Sequence, residues 1–486
     1  MKKKKIFAII LTAALTLMTF TACGSDGSAA SADSPVTAEE TILTEEDLTI
    51  NETIEDTSDG GHAIEADGEE ASYSNTKVIK SGEADGDEAD FYGENAAIFA
   101  TNGATLDLTD MVVTTDGTHA NGVFSYGEGT TVNISHSVIE TTGNCSGGLM
   151  TTGGGTMNAS DLTIHTTGNS SAAIRSDRGG GTVTVTGGHY TTDGKGSPVI
   201  YSTADITVNE ATLVSTASQG IVIEGKNSVT LNDVDLTADN NTKNSDKSEY
   251  YQAVMIYQSM SGDAAEGKSD FTMNGGTLTN KNGDIFFVNN TVTEISLSAA
   301  TIVNEDEEGV FLRAAGAGWG NEGSNGGQVT MKADAQEISG DMVVDDISVL
   351  NLYLANGSTL NGAINAENSE GQIYVELSDD STWTLTADSY VTSLTCDADA
   401  IDLNGHKLYV DGKEYEAGTA SAGEAIEIVV TSSGGGMPDG KPGEGSGTPP
   451  DGKPGEGGGT APEKPDGDSG HGPGGDGGTP PAKPGN

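Results

Sequence analysis

The sequence predicts an all-β chain: a right-handed parallel β-helix solenoid with a disordered N-terminal linker and a disordered Pro/Gly-rich C-terminal tail. Three observations predict it. Related stretches restart about every 25 residues, as in Gly122-Val123-Phe124-Ser125-Tyr126, Gly148-Leu149-Met150-Thr151-Thr152 and Ala173-Ile174-Arg175-Ser176-Asp177, and a fixed period of that length marks a repeat architecture. Each unit carries short runs of alternating apolar and polar residues, such as Val132-Asn133-Ile134 and Val183-Thr184-Val185, the pattern of half-buried strands. After residue 22 there is no long apolar face of period 3.6, so helices have no stripe to bury. One such unit cannot bury its own apolar face and must stack on the next.

In chain order, residues 1–22 read as a lipoprotein signal peptide. Lys2 to Lys5 supply the positive region, Ile6 to Leu17 the apolar region, and small residues follow. The segment Phe20-Thr21-Ala22-Cys23 resembles a bacterial lipobox with Cys23 as the lipidation site; Phe20 departs from the usual aliphatic residue, and plain secretion or an N-terminal anchor is the alternative. Lipidation implies a chain exported to the extracellular face of the cell membrane and held there by its lipid. Residues 23–60 read as an acidic disordered linker, too poor in apolar residues to bury a core. Residues 61–326 form the regular array, and 327–432 a looser continuation with a C-terminal cap. Residues 433–486 are a Gly/Pro-rich tail with no core-forming residues.

The net charge is −52 and Arg occurs only at positions 175, 178 and 313. A polyanion of this kind repels nucleic acid, which excludes that class of partner. Cys145 and Cys396 lie 251 residues apart in sequence, about ten stacked units or on the order of 50 Å. A disulfide needs Cα atoms within about 7 Å, so no bridge is expected.

The stretches Phe91-Tyr92-Gly93-Glu94-Asn95-Ala96-Ala97, Ala173 to Gly181, Gly225-Lys226-Asn227-Ser228 and Gly326-Gly327-Gln328-Val329-Thr330 resemble the pectin-lyase-like superfamily of right-handed parallel β-helices. Within it, the chain resembles adhesin-like exported lipoproteins of anaerobic Gram-positive bacteria. The likeness covers roughly residues 61–430 and implies fold and surface location. It implies function poorly, because that superfamily holds lyases, hydrolases, esterases, sugar-binding proteins and adhesins.

Candidate sites follow from strand alternation. With Ile98, Val123, Leu149, Ile174, Val199, Ile221, Val254, Ile285 and Val310 inward, an outward column holds Phe99, Phe124, Met150, Arg175, Ile200, Val222, Met255, Phe286 and Phe311. A second outward column includes Tyr126, Asp177, Glu224, Tyr257 and Arg313. An apolar column of that length marks a binding surface for an extracellular polymer, polysaccharide first. The competing readings are that a loop covers it, or that the register slips by one and exchanges inside for outside. Insertions at 83–93 and 239–251 enter this strand and bring Tyr92, Tyr250 and Tyr251.

In the first insertion, Asp85, Asp87, Glu88 and Asp90 are oxygen donors for Ca2+, the one cofactor suggested, or else solvated charge. If the chain is an enzyme, Arg175, Asp177 and Arg178 suit a Ca2+-assisted polysaccharide lyase. Asp177 and Glu224, about 10 Å apart, are within the range of a glycoside hydrolase pair. An ordinary Arg–Asp pair is the alternative, and a structural surface stalk is the third class of function.

Overall fold

A computed structural model describes residues 42–428 other than 244 and 246. Cys23, the signal segment and the tail lie outside the described residues.

Two long sheets, one of 22 strands and one of 11, are followed by sheets of four and three strands. Most repeats supply three strands, as in Ile174–Ser176, Gly181–Thr186 and His189–Thr192. Each pairs in parallel with its counterparts in the repeats before and after. This architecture is consistent with a parallel β-helix. The alternation read from the sequence holds on the long sheet: Val132, Met157, Val183, Ile206 and Val229 lie in register and are buried in the main core.

A recurring turn keeps the register. Thr141, Thr166 and Thr192 each donate a hydroxyl to the carbonyl of a serine five residues on, at 2.5–2.6 Å. Those serines, Ser146, Ser171 and Ser197, reach back to the carbonyls of Gly117, Gly143 and Gly168. A Cβ on Gly143 would stand 1.9 Å from the Gly117 carbonyl oxygen, so this turn stacks only with glycine at that position.

Part of the segment expected as a linker, 23–60, joins the sheets. Glu52–Asp56 is a strand paired in parallel with Thr76–Lys80. The acidic composition concealed this, because the stabilising partner is distant in sequence. Lys80 is fully buried, 3.0 Å from the Asp56 carboxylate, and donates to the carbonyls of Ser58 and Gly60. At the other end, the 11-stranded sheet stops at Met342–Val344. Near the end of the described residues the pairing turns antiparallel, at Thr395↔Ala422 and Tyr409↔Glu414. Cys145 and Cys396 form no disulfide.

Candidate functional site

The 11-stranded sheet carries the predicted columns, with a change of register. Ile98, Val123, Leu149 and Ile174 are aligned and inward, but the next members are Ile200, Ile221, Val254, Phe286 and Leu312. Phe286 and Ile200, expected outside, are therefore part of the main core, as is Phe311 just before the strand Leu312–Ala314. The outward column reads Phe99, Phe124, Met150, Arg175, Tyr201, Val222, Met255, Phe287 and Arg313. In the slipped repeats both faces are apolar, and such a strand shows no alternation from which to fix its phase.

The column is not an exposed stripe. Phe99, Phe124 and Met150, with Tyr126 against them, form a small separate core. Its cover is the first insertion, which folds as a five-residue helix, Asp87–Phe91. Tyr92 meets Tyr126 edge-on at 5.6 Å, and Thr152 donates to the Phe91 carbonyl at 2.7 Å. Gly93 has φ +80° and lies so close to Phe99 that a Cβ would stand 2.6 Å from the ring. A second core gathers Tyr201, Val222, Met255, Tyr257, Phe287 and Trp319, with Tyr250 packed on it. Trp319 meets Tyr257 at 5.1 Å and Tyr250 meets Phe287 at 5.3 Å. The two insertions and the loop carrying Trp319 thus cover the apolar column. Phe99, Phe124, Met150 and Tyr257 are corrected from binding surface to packing.

Between the two covers lies an ionic seam. Arg175 and Asp177 pair at 2.9 Å, both largely buried. Arg178 joins Asp87 of the first insertion at 3.0 Å to Asp263 at 2.6 Å, and stacks over Phe91 at 3.8 Å. Arg313 pairs with Asp284 at 2.6 Å and stacks on Tyr250. Burial pushes the Asp177 carboxyl above the usual carboxylate range despite Arg175. Arg175 remains charged, since the charges of Asp177, then Asp90 and Cys145, outweigh its desolvation. Arg178 and Arg313 therefore fasten loops to the sheet, while Arg175 is spent on Asp177 of its own repeat.

Glu224 is 1% exposed and accepts hydroxyl hydrogen bonds from Tyr201 at 2.5 Å and Tyr257 at 3.0 Å. Burial raises its pKa above 4.5. Neither Asp177 nor Glu224 is accessible to a sugar chain in this conformation. The folded state holds a proton on Glu224 that the unfolded chain releases near pH 4.5, so stability falls as pH rises from there through the raised folded value. Glu224→Gln removes this loss: in urea titrations it is more stable than wild type at pH 7, and the gap closes as pH approaches 4.5. A gap that does not change with pH refutes the assignment.

Among the described residues, the four acids of the first insertion are not gathered into one cluster. Asp87 is taken by Arg178, while Asp85 and Asp90 face His119, at 3.8 Å and 2.9 Å. Among the described residues, Asp90 alone of the four belongs to a cluster of metal-ligating side chains, with His119 and Cys145 as its other members. His119 and Cys145 occupy the same left-handed position of consecutive turns, φ +57° and +56°. The His119 N–H donates to Asn144 O, and the Cys145 N–H to Asn169 O. Burial opposes charge on His119, but contact with Asp90 and then Cys145 outweighs it and raises its pKa to about 9.

Neither residue stood out in the sequence, where they are 26 positions apart and match no ligand spacing. Aligning Thr118-His119, Asn144-Cys145 and Asn169-Ser170 as equivalent turn positions is the signal that would have found them. No protein-family model, curated protein or solved structure matches this chain.

Proposed function

We propose that this chain is an exported right-handed parallel β-helix, tethered through Cys23 to the outer face of the cell membrane, that binds an extracellular polymer, polysaccharide first. The observation that carries this reading is a continuous outward column on the 22-stranded sheet. Asp107, Asn133, Asn158, Thr184, Thr207, Thr230, Thr272, Ser296, Lys332, Tyr353, Glu376 and Thr395 lie in unbroken register. At strand spacing it runs about 50 Å.

Hydroxyls and amides both donate and accept, as sugar hydroxyls do. Amide-to-carboxylate and amide-to-amide bonds at 2.7 and 2.9 Å preorganise the first three positions. Near its far end Tyr353 is half-buried beside Lys332 and Glu376, an aromatic face among polar groups of the kind that suits a sugar ring. The proposal moves the binding surface from the covered apolar column to this polar one.

The test is binding of the purified chain to a panel of insoluble and arrayed polysaccharides, with and without chelator. Tyr353→Ala combined with Thr230→Lys, both solvent-facing changes, is expected to weaken binding by about tenfold or more while the fold is kept. Undiminished binding by that variant sinks the proposal. Release of unsaturated sugars during the assay would replace binding by lyase chemistry.

A further inference from the structure

We propose that Asp90, His119 and Cys145 bind a borderline-soft divalent transition ion of the zinc class, through one oxygen, one nitrogen and one sulfur. The donor atoms lie within 4.8 Å of one another. A tetrahedral zinc ion with bonds of about 2.0–2.3 Å holds its ligands roughly 3.3–3.8 Å apart, so closure needs movements of about 1 Å.

The frame is rigid where it must be. His119 and Cys145 are fixed one strand spacing apart by the backbone bonds between their turns. Asp90 arrives from the helix Asp87–Phe91, itself held by Arg178 and by the bond from Thr152 to Phe91. His119 is 5% exposed, and its Nδ1 stands 2.9 Å from an Asp90 oxygen, so the ring and the carboxylate already face each other.

Donor chemistry selects the ion. Ca2+ and Mg2+ take oxygen ligands, whereas thiolate with imidazole suits zinc and its neighbours. Local charge allows it: Arg175 acts on both Asp90 and Cys145, but Asp177 pairs with it at 2.9 Å. Asp85 stands 3.8 Å from the other ring nitrogen, and the chain as a whole is strongly anionic, which concentrates cations. Three protein donors leave a fourth position for water or an exogenous ligand. The bound ion would pin the insertion to two consecutive turns and so stabilise the cover over Phe99 and Phe124.

The test uses the full chain, reduced and stripped with chelator, titrated with Co2+ as the spectroscopic probe and then with Zn2+. We expect one Co2+ per chain with an intense sulfur-to-cobalt absorption band, displaced by Zn2+ and not by Ca2+. Cys145→Ser should abolish the band, which also controls for Cys23 and Cys396, and Asp90→Asn should weaken binding by about tenfold or more. Asp90 is on the part-exposed insertion, so this variant is expected to fold, and circular dichroism checks both. Failure to take up Co2+, a band that survives in Cys145→Ser, or displacement by Ca2+ overturns the proposal.

Discussion

Phe124→Ala is expected to lower stability by about 3–5 kcal/mol, the cost of emptying a buried aromatic site. Phe124 is fully buried outside the main core, against Phe99 at 5.8 Å, beneath the insertion at 83–93. The loss should also be local. The segment 83–93 lies over this cluster, so limited proteolysis of the variant should cut there before the strands are lost. Denaturant unfolding checks the first effect and the cleavage site the second. A loss below about 1 kcal/mol, as for a surface residue, would mean that the cover is open in solution.

Lys80→Met is the second large effect. It keeps chain length and removes the ammonium that serves Asp56 and the carbonyls of Ser58 and Gly60. Breaking a buried ion pair by removing one partner costs about 3–5 kcal/mol, and the 20% exposure of Asp56 places this case at the low end. Hydrogen exchange should then accelerate across 52–60 and leave the distant repeats unchanged, because stability in a stacked array is summed from neighbouring contacts. Uniform acceleration along the chain would contradict that.

The architecture was legible in the sequence, and the site only in part. Strands that face water on one side, such as Val183-Thr184-Val185, declare their phase by alternation, and the long sheet follows it. Strands buried on both sides do not: Val199-Ile200-Tyr201 and Asp284-Ile285-Phe286-Phe287 read equally well one residue either way. The covers carried their own signal. In a chain poor in aromatics, Tyr92 and Tyr250 stand in the two insertions and pack on Tyr126 and Phe287, while Trp319, on a later loop, packs on Tyr257. The strand Glu52–Asp56 was hidden by its charge, since composition does not reveal a partner at Thr76–Lys80. Asp90, His119 and Cys145 come from three stretches that only the stacking of turns brings together.

The apolar column is interior, and on the proposed function the polar column from Asp107 to Thr395 is the face that meets polymer. Hydroxyl-radical footprinting of the intact chain, free and with a bound polysaccharide, tests it most directly. In the free chain Tyr353 should be labelled while Phe124, Tyr257 and Phe287 are spared, and polymer should protect Tyr353 alone among the four. Labelling of Phe124, Tyr257 and Phe287 in the free chain, with protection when polymer binds, would contradict the account and return the binding site to the 11-stranded sheet.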